Sequence, residues 1–429
     1  MTLNSTLTNA GRRAEDTRRR SAPSAQRRAL PRIPLIPDEV LKQHNAFCAI
    51  DTRFRSAARL LQCLWLKDQG IPTTNSKQGI EGRTYPGFAS HLRADAAKAG
   101  RNFLNLQIHQ VVLRELLVRE EGASIDEERL FGNSLNSQPL SFNLFGNMTE
   151  DLTLATAVFK HLFPEFVLTV DQIVFEHSPG RREQRFLQDG TAFDVAIRVT
   201  TPEGEAASIF IETKYSEDMG GPAARMRDRY DEASRQVKLY RDPDSPALRS
   251  IALEQLWREN NLAQLAVDQG VTSRAIFLAI GPRLNRRVMS AFRAFQTELI
   301  DIEHQDANRV AFEPMSLEIF VDAIQAAGAV ELAQALWSRY CDFQRIYDLS
   351  LHAIGGDTPA SKFEAERAGD GMPLDGDTLP LGRRDRRILA KRTTQRARSP
   401  ITTPGVTNEE IARQMALYQE SITRVPQIA

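Results

Sequence analysis

The sequence predicts a mixed α/β fold around a central sheet, from three observations. An amphipathic run at 149–162 precedes three strand-like segments at 166–176, 192–200 and 207–215. The last two are joined by "TPEGE", a Pro- and Gly-containing hairpin signal. A charged helical stretch and the apolar run "RAIFLAIGP" follow. The order helix, three-strand meander, helix, strand therefore occupies about 149–282, with helices on both flanks.

The flanking elements follow from periodicity. The opening 36 residues are basic, rich in Ser and Arg and without an apolar stretch, so they are expected to be a disordered tail. Apolar residues recur at helical spacing over 38–70, ending in Gly70, and again over 89–121. The segment "IDEERLFGNSLNSQPLSFNLFGNM" reads as loop, because Asn and Ser punctuate it. Thr149 is the expected N-cap of the next helix, with acids in its first turn and Pro164 past its end. Beyond the meander, 223–240, 251–269, 286–299 and 316–347 read as helices, and 309–312 as a strand. The run 274–282 is apolar throughout, as a strand buried on both faces should be. From 351 to 406 the composition turns to Gly, Pro, Asp and Arg, and a disordered linker is expected, with a terminal helix within 407–429. The region 37–148 is expected to pack as a helical addition on a core domain at 149–350.

Composition narrows the function classes only partly. The chain has 429 residues, and 55 basic residues balance 55 acidic ones, so any anionic partner must be held by a local patch. Three scattered cysteines form no CxxC, which fits a reducing compartment and gives no zinc site. No run approaches 18 apolar residues, so no membrane-spanning helix is expected. The opening residues lack the apolar stretch of a secretory signal.

Chemistry concentrates in "FDVAIRVTTPEGEAASIFIETKYSE". Side chains alternate along a strand, so Asp194, Ala196 and Arg198 share one face, and Phe193, Val195, Ile197 and Val199 the other. On the next strand Phe210, Glu212 and Lys214 share a face. A five-residue turn centred on Glu203 places Asp194 opposite Glu212, with about 5 Å between Cβ atoms. Two carboxylates at that spacing repel and raise each other's pKa unless a cation intervenes. Hard oxygen donors suit Mg²⁺ or Mn²⁺. Lys214 on the same face can hold an attacking water or stabilise developing negative charge. The bland alternative is a cross-strand ion pair on a solvated sheet face.

Asp194, followed after a hairpin by Glu212-Thr-Lys214, resembles the PD-(D/E)XK nuclease superfamily, whose restriction-endonuclease-like fold has an αβββαβ core. The resemblance covers about 149–282. It implies a metal-dependent nuclease acting on nucleic acid, DNA foremost, in which Asp194, Glu212 and the backbone carbonyl of Thr213 bind Mg²⁺ or Mn²⁺. Lys214 would assist the water nucleophile, leaving a 5′-phosphate. Glu176, at the end of the neighbouring strand, is a further candidate metal ligand; Glu150 and Asp151 are weaker ones, and His177 is a candidate base. Gln236 and Tyr240 resemble the Q-x-x-x-Y of the RecB-like branch, on one face of a helix. The stretch "NSLNSQPLSFNLFG" resembles a segment of a bacterial subset of the superfamily. It makes Ser137, Ser141 and Asn143 candidates for holding a phosphate or a metal-bound water. Arg181, Arg182, Arg235 and Lys238 are candidate nucleic-acid contacts. With no secretory signal in the opening residues, the same resemblance leads to the expectation of a bacterial cytoplasmic location. Two other readings stay open: a non-cleaving nucleic-acid-binding module on this fold, and a helical scaffold using 38–121 and 316–347.

Overall fold

The computed structural model describes residues 30–74, 76–78, 84–123, 125–220 and 225–355. The expected tail before residue 30, most of the linker and the terminal helix lie outside the described residues. Ile33 and Ile36 are already buried in the main core, ahead of the expected start at Pro37.

The run 38–70 splits into α1 (Asp38–Gln43) and α2 (Arg53–Asp68). Thr52 caps α2 by accepting from the Arg55 backbone N–H, and Gly70 closes it in the left-handed region at φ 59°. A short ribbon of β1 (Ser76–Gln78) and β2 (Thr84–Pro86) follows. Next come α3 (Ala94–Lys98), α4 (Leu106–Val118) and α5 (Glu127–Gly132). The stretch read as a loop is largely helical: α6 spans Ser137–Glu150 and α7 Leu152–Leu162. Asn and Ser lower helix propensity only modestly, and burial of Leu140, Phe142, Leu144, Phe145 and Met148 overrides it. The cap of α7 is Asp151, which accepts from the Leu154 N–H at 2.9 Å. Thr149 instead closes α6 by donating its hydroxyl to the Phe145 carbonyl.

Five strands form the central sheet: β3 (Thr169–His177), β4 (Phe193–Thr200), β5 (Ala206–Thr213), β6 (Ala275–Gly281) and β7 (Val310–Ser316). Their spatial order is their chain order. The first three are antiparallel; β6 lies parallel to β5, and β7 parallel to β6. Parallel neighbours need crossovers. Helices α8 (Asp228–Val237) and α9 (Glu254–Asp268) lie between β5 and β6, and α10 (Arg286–Glu298) between β6 and β7. After β7 come α11 (Leu317–Ala326), α12 (Val330–Leu336), a π-helical turn at Trp337–Cys341 and α13 (Phe343–Gly355). The outermost strand, β7, carries Pro314, paired with Ala279 of β6.

Alternation along the strands builds two cores. Val195, Ile197, Ile209, Ile211, Ile276 and Leu278 face a large cluster shared with α2, α4, α6, α7 and α11. Ala196, Phe210, Phe277 and Ala279 face a second cluster under α8, α9 and α10. Phe193 departs from the expected alternation: it sits in this second cluster, its ring stacked on Phe210 at 4.3 Å between centroids. The face that carries Asp194 and Glu212 is thus covered along most of its length.

Candidate active site

The site begins with register. Val195 pairs with Ile211, Ala196 with Phe210 and Thr200 with Ala206, which centres the turn on Glu203 as the loop length predicts. Within it, Gly204 adopts φ 83°, and Thr201 N–H donates to the Glu205 carbonyl at 2.9 Å. Buried Arg274, just ahead of β6, ties down Glu203. Extending the ladder one step brings Asp194 level with Glu212. On the other side, Phe175 pairs with Val195 and His177 with Phe193, which brackets Glu176 against Asp194. Glu212 itself pairs with Ala279. Glu176, Asp194 and Glu212 therefore form one row of acids across three adjacent strands.

The ladder between β4 and β5 gives out at this row. The Thr213 N–H donates to the Asp194 carboxylate, to Oδ2 at 2.8 Å, and the Thr213 hydroxyl donates to the same oxygen at 2.6 Å. Ser141 of α6 stands behind, its hydroxyl 2.7 Å from that of Thr213. Glu176 has φ 50°, an uncommon conformation for a side-chain-bearing residue. It is held by Gln138 Nε2, which donates to Oε1 at 2.9 Å, and by Arg181, which donates to its carbonyl at 3.0 Å. Lys214 Nζ donates to Glu212 Oε1 at 2.5 Å and to Gln255 Oε1 at 2.7 Å. Gln255 Nε2 in turn donates to Glu212 Oε1 at 2.9 Å and to Glu259 Oε1 at 2.8 Å.

Burial and mutual repulsion set the electrostatics. Burial, with Asp194 next in order, pushes Glu176 up to about 8 and Glu212 up to about 7. Asp194 is also raised by burial, against the opposing pull of Lys214 and the hydrogen bonds from Thr213. Glu259 is raised well above the carboxylate range by burial and by Glu212. Burial works against the Lys214 ammonium, but Glu212, Glu259, Glu217 and Asp194 outweigh it and raise its pKa. The row therefore gathers carboxyl groups whose charged forms are disfavoured without a cation, with one ammonium among them.

Several expected contacts lie elsewhere. Helix α8 ends at Val237, and Lys238 turns left-handed at φ 53°. Gln236 and Tyr240 therefore do not share a helix face. Gln236 lies exposed along a groove of about 500 Å³ that also takes Arg185, Arg227 and Arg229. Tyr240 is buried, with its hydroxyl donating to Asn261 Oδ1 at 2.8 Å. Asn143 is fully buried and donates to Tyr340 Oη and the Asn102 carbonyl. Ser141 is likewise buried, so neither can meet a phosphate. Ser137 starts α6 and accepts the Ser141 hydroxyl through its carbonyl. Arg181 is consumed by Glu120 and by the carbonyls of Gly122, Glu176 and Gly190. His177 Nδ1 is 2.6 Å from Glu120, which leaves no base role visible. Arg235 pairs with Asp244 at 2.6 Å, and Glu150 with Arg114. Arg182 and Lys238 are exposed, as a contact to nucleic acid requires. The residues that sequence reasoning missed are Gln138, Glu217, Gln255 and Glu259. Their signal was weak: polar side chains at half-buried or buried positions of α6 and α9, and, for Glu217, in the turn after β5.

A family model for the PD-(D/E)XK nuclease superfamily matches residues 49–342, more than half of the chain. The chain belongs to the PD-(D/E)XK nuclease superfamily. No curated protein and no solved structure matches it. The match runs from α2 to the π-helical turn, so it takes in the N-terminal helices as well as the sheet. Members of this superfamily generally use divalent metals. Among the described residues no three Asp, Glu, His or Cys side chains converge as a ready-made metal cage. The donor set still fits Mg²⁺, which keeps several waters and takes one or two carboxylates from the protein. Asp194 and Glu212, level with each other on adjacent strands, are two carboxylates that could fill that role. Among the described residues, no helix is long and apolar enough to cross a membrane.

Proposed function

We propose that this PD-(D/E)XK protein hydrolyses phosphodiester bonds in nucleic acid, DNA foremost, with Mg²⁺ or Mn²⁺. The observation that carries the reading is the registered pair Asp194 and Glu212 with Lys214 beside them, on the face that the superfamily resemblance assigns to chemistry. Asp194, Glu212 and the Thr213 carbonyl would hold the metal, with Glu176 at the edge of the row as a further ligand. The metal would supply Lewis acidity at the phosphate and at a bound water. Lys214 stays an ammonium, because four carboxylates raise its pKa. It therefore acts as a hydrogen-bond donor, orienting water and countering charge on the phosphoryl oxygens, and not as the base. Thr213 and Ser141 fix the Asp194 carboxylate, and Gln255 fixes the lysine. Water oxygen bonds to phosphorus and releases a proton to solvent, the bond to the 3′ sugar oxygen breaks and that oxygen takes up a proton from solvent, and the 5′-phosphate product is the one the family resemblance implies. Arg182 and Lys238 would steer the backbone. A bacterial, cytoplasmic role accords with the same resemblance.

The test is cleavage of single- and double-stranded DNA and of RNA, with Mg²⁺ or Mn²⁺. Asp194→Ala and Lys214→Ala are each expected to lower cutting by about 10²–10³ or more while circular dichroism stays unchanged. Cutting that persists unchanged in both variants rules out this site. Binding without cutting under every metal favours the non-cleaving module.

A further inference from the structure

Glu259 is 2% exposed, and its Oε2 has no hydrogen-bond partner among the described residues. Its other oxygen accepts from Gln255 Nε2 at 2.8 Å, and that same nitrogen donates to Glu212 at 2.9 Å. The Lys214 ammonium rests on the other atom of that amide, Gln255 Oε1, at 2.7 Å. One glutamine thus stands between two buried carboxylates that attract one ammonium. Glu212 holds it at 2.5 Å. Glu259 acts on it through charge and keeps a carboxylate oxygen unused.

That arrangement conflicts with a metal on Glu212. A divalent cation and an ammonium on the same carboxylate repel strongly in a buried setting. The lysine side chain is long and unbranched, so it can reposition by rotation about its own bonds. We propose that Lys214 has two seats: Glu212 Oε1 when the site holds no metal, and Glu259 Oε2 when a divalent cation occupies Asp194 and Glu212. The inference rests on the metal-site reading above. Gln255 is a positioning residue that borders both seats. No bond is made or broken, and the lysine keeps its proton throughout. Without metal, the row is partly neutralised from within. With metal, Glu259 sets where the ammonium stands relative to the reacting phosphate.

The test is calorimetric titration of the full chain with Mn²⁺, without nucleic acid. Glu259→Gln is expected to weaken Mn²⁺ binding at least tenfold, because the displaced ammonium then has no carboxylate to receive it. In a Lys214→Met background the same substitution is expected to change affinity threefold or less, since nothing needs displacing. Equal weakening in both backgrounds, or wild-type affinity in Glu259→Gln, overturns the two-seat device. Absence of Mn²⁺ binding in the wild type overturns the metal reading, and this inference with it. A crystal structure of the wild type with Mn²⁺ decides independently of any variant's folding. Lys214 Nζ should stand on Glu259 Oε2, and an ammonium still on Glu212 overturns the proposal.

Discussion

Asp194, Glu212 and Lys214 could be read from alternation and turn length alone, because a hairpin is local and its pairing follows from the residues between its strands. Glu176 followed from adjacency of β3. Gln138, Gln255 and Glu259 did not, since they reach the row from helices whose docking no local rule fixes. The acids carry a consequence for stability. In the folded state Glu176 and Glu212 are held up near 8 and 7, against an ordinary carboxylate value of 4.5. The folded state thus binds more protons than the unfolded chain across that window. This contribution is complete below the unfolded value and is lost as pH rises through about 7 and then about 8. Thermal melts of metal-free protein should therefore show Tm falling from about pH 5 to about pH 9, less steeply in Glu176→Gln. A Tm that rises over that range contradicts the assignment.

At the scale of elements, the main departures have packing causes. Helix propensity and polar punctuation suggested a loop where α6 runs, yet α6 packs between α4, α7 and the sheet and supplies Gln138 and Ser141. The Q-x-x-x-Y spacing was real in sequence, but α8 stops before it can present both residues. Helix α9 takes the place expected for α8: it packs on β6 and β7 and aims Gln255 and Glu259 at the site. The two helices are separable by substitution. Gln255→Ala is expected to lower cutting by tenfold or more, through loss of the hydrogen bond that fixes Lys214. Gln236→Ala should leave cutting within about twofold, as surface changes usually do. Steady-state cleavage rates decide; equal losses restore the Q-x-x-x-Y reading.

At the scale of the molecule, the helices before residue 149 share one core cluster with the sheet. One cluster runs from Ile33 through α2, α4 and the sheet to Ile346 of α13. Polar ties follow the same path. Gln62 of α2 donates to Tyr215 Oη at 3.1 Å and to the Arg339 carbonyl at 2.8 Å. Arg55 donates to the Ser216 carbonyl, and the Ser216 hydroxyl to that of Leu135. Fully buried Arg339 donates to Asn102 and lies 4.3 Å from the Trp65 ring centre. Sequence periodicity placed these helices but could not show that they seat the residues just after Lys214. A fragment of residues 149–355 is therefore expected to be insoluble or inactive when expressed alone, checked by solubility and cleavage. An active soluble fragment would show that the N-terminal helices are dispensable.

Pro314 has a meaning beyond its own strand. Among the described residues the outer side of β7 has no strand neighbour, and an unpaired strand edge is a template on which another chain can polymerise. A proline in the strand offers no N–H, so a docking strand would find its ladder interrupted there. Pro314→Val should leave the monomer folded and raise light scattering on concentrated storage. An interruption in the outer strand then guards the protein against fibre-like self-addition.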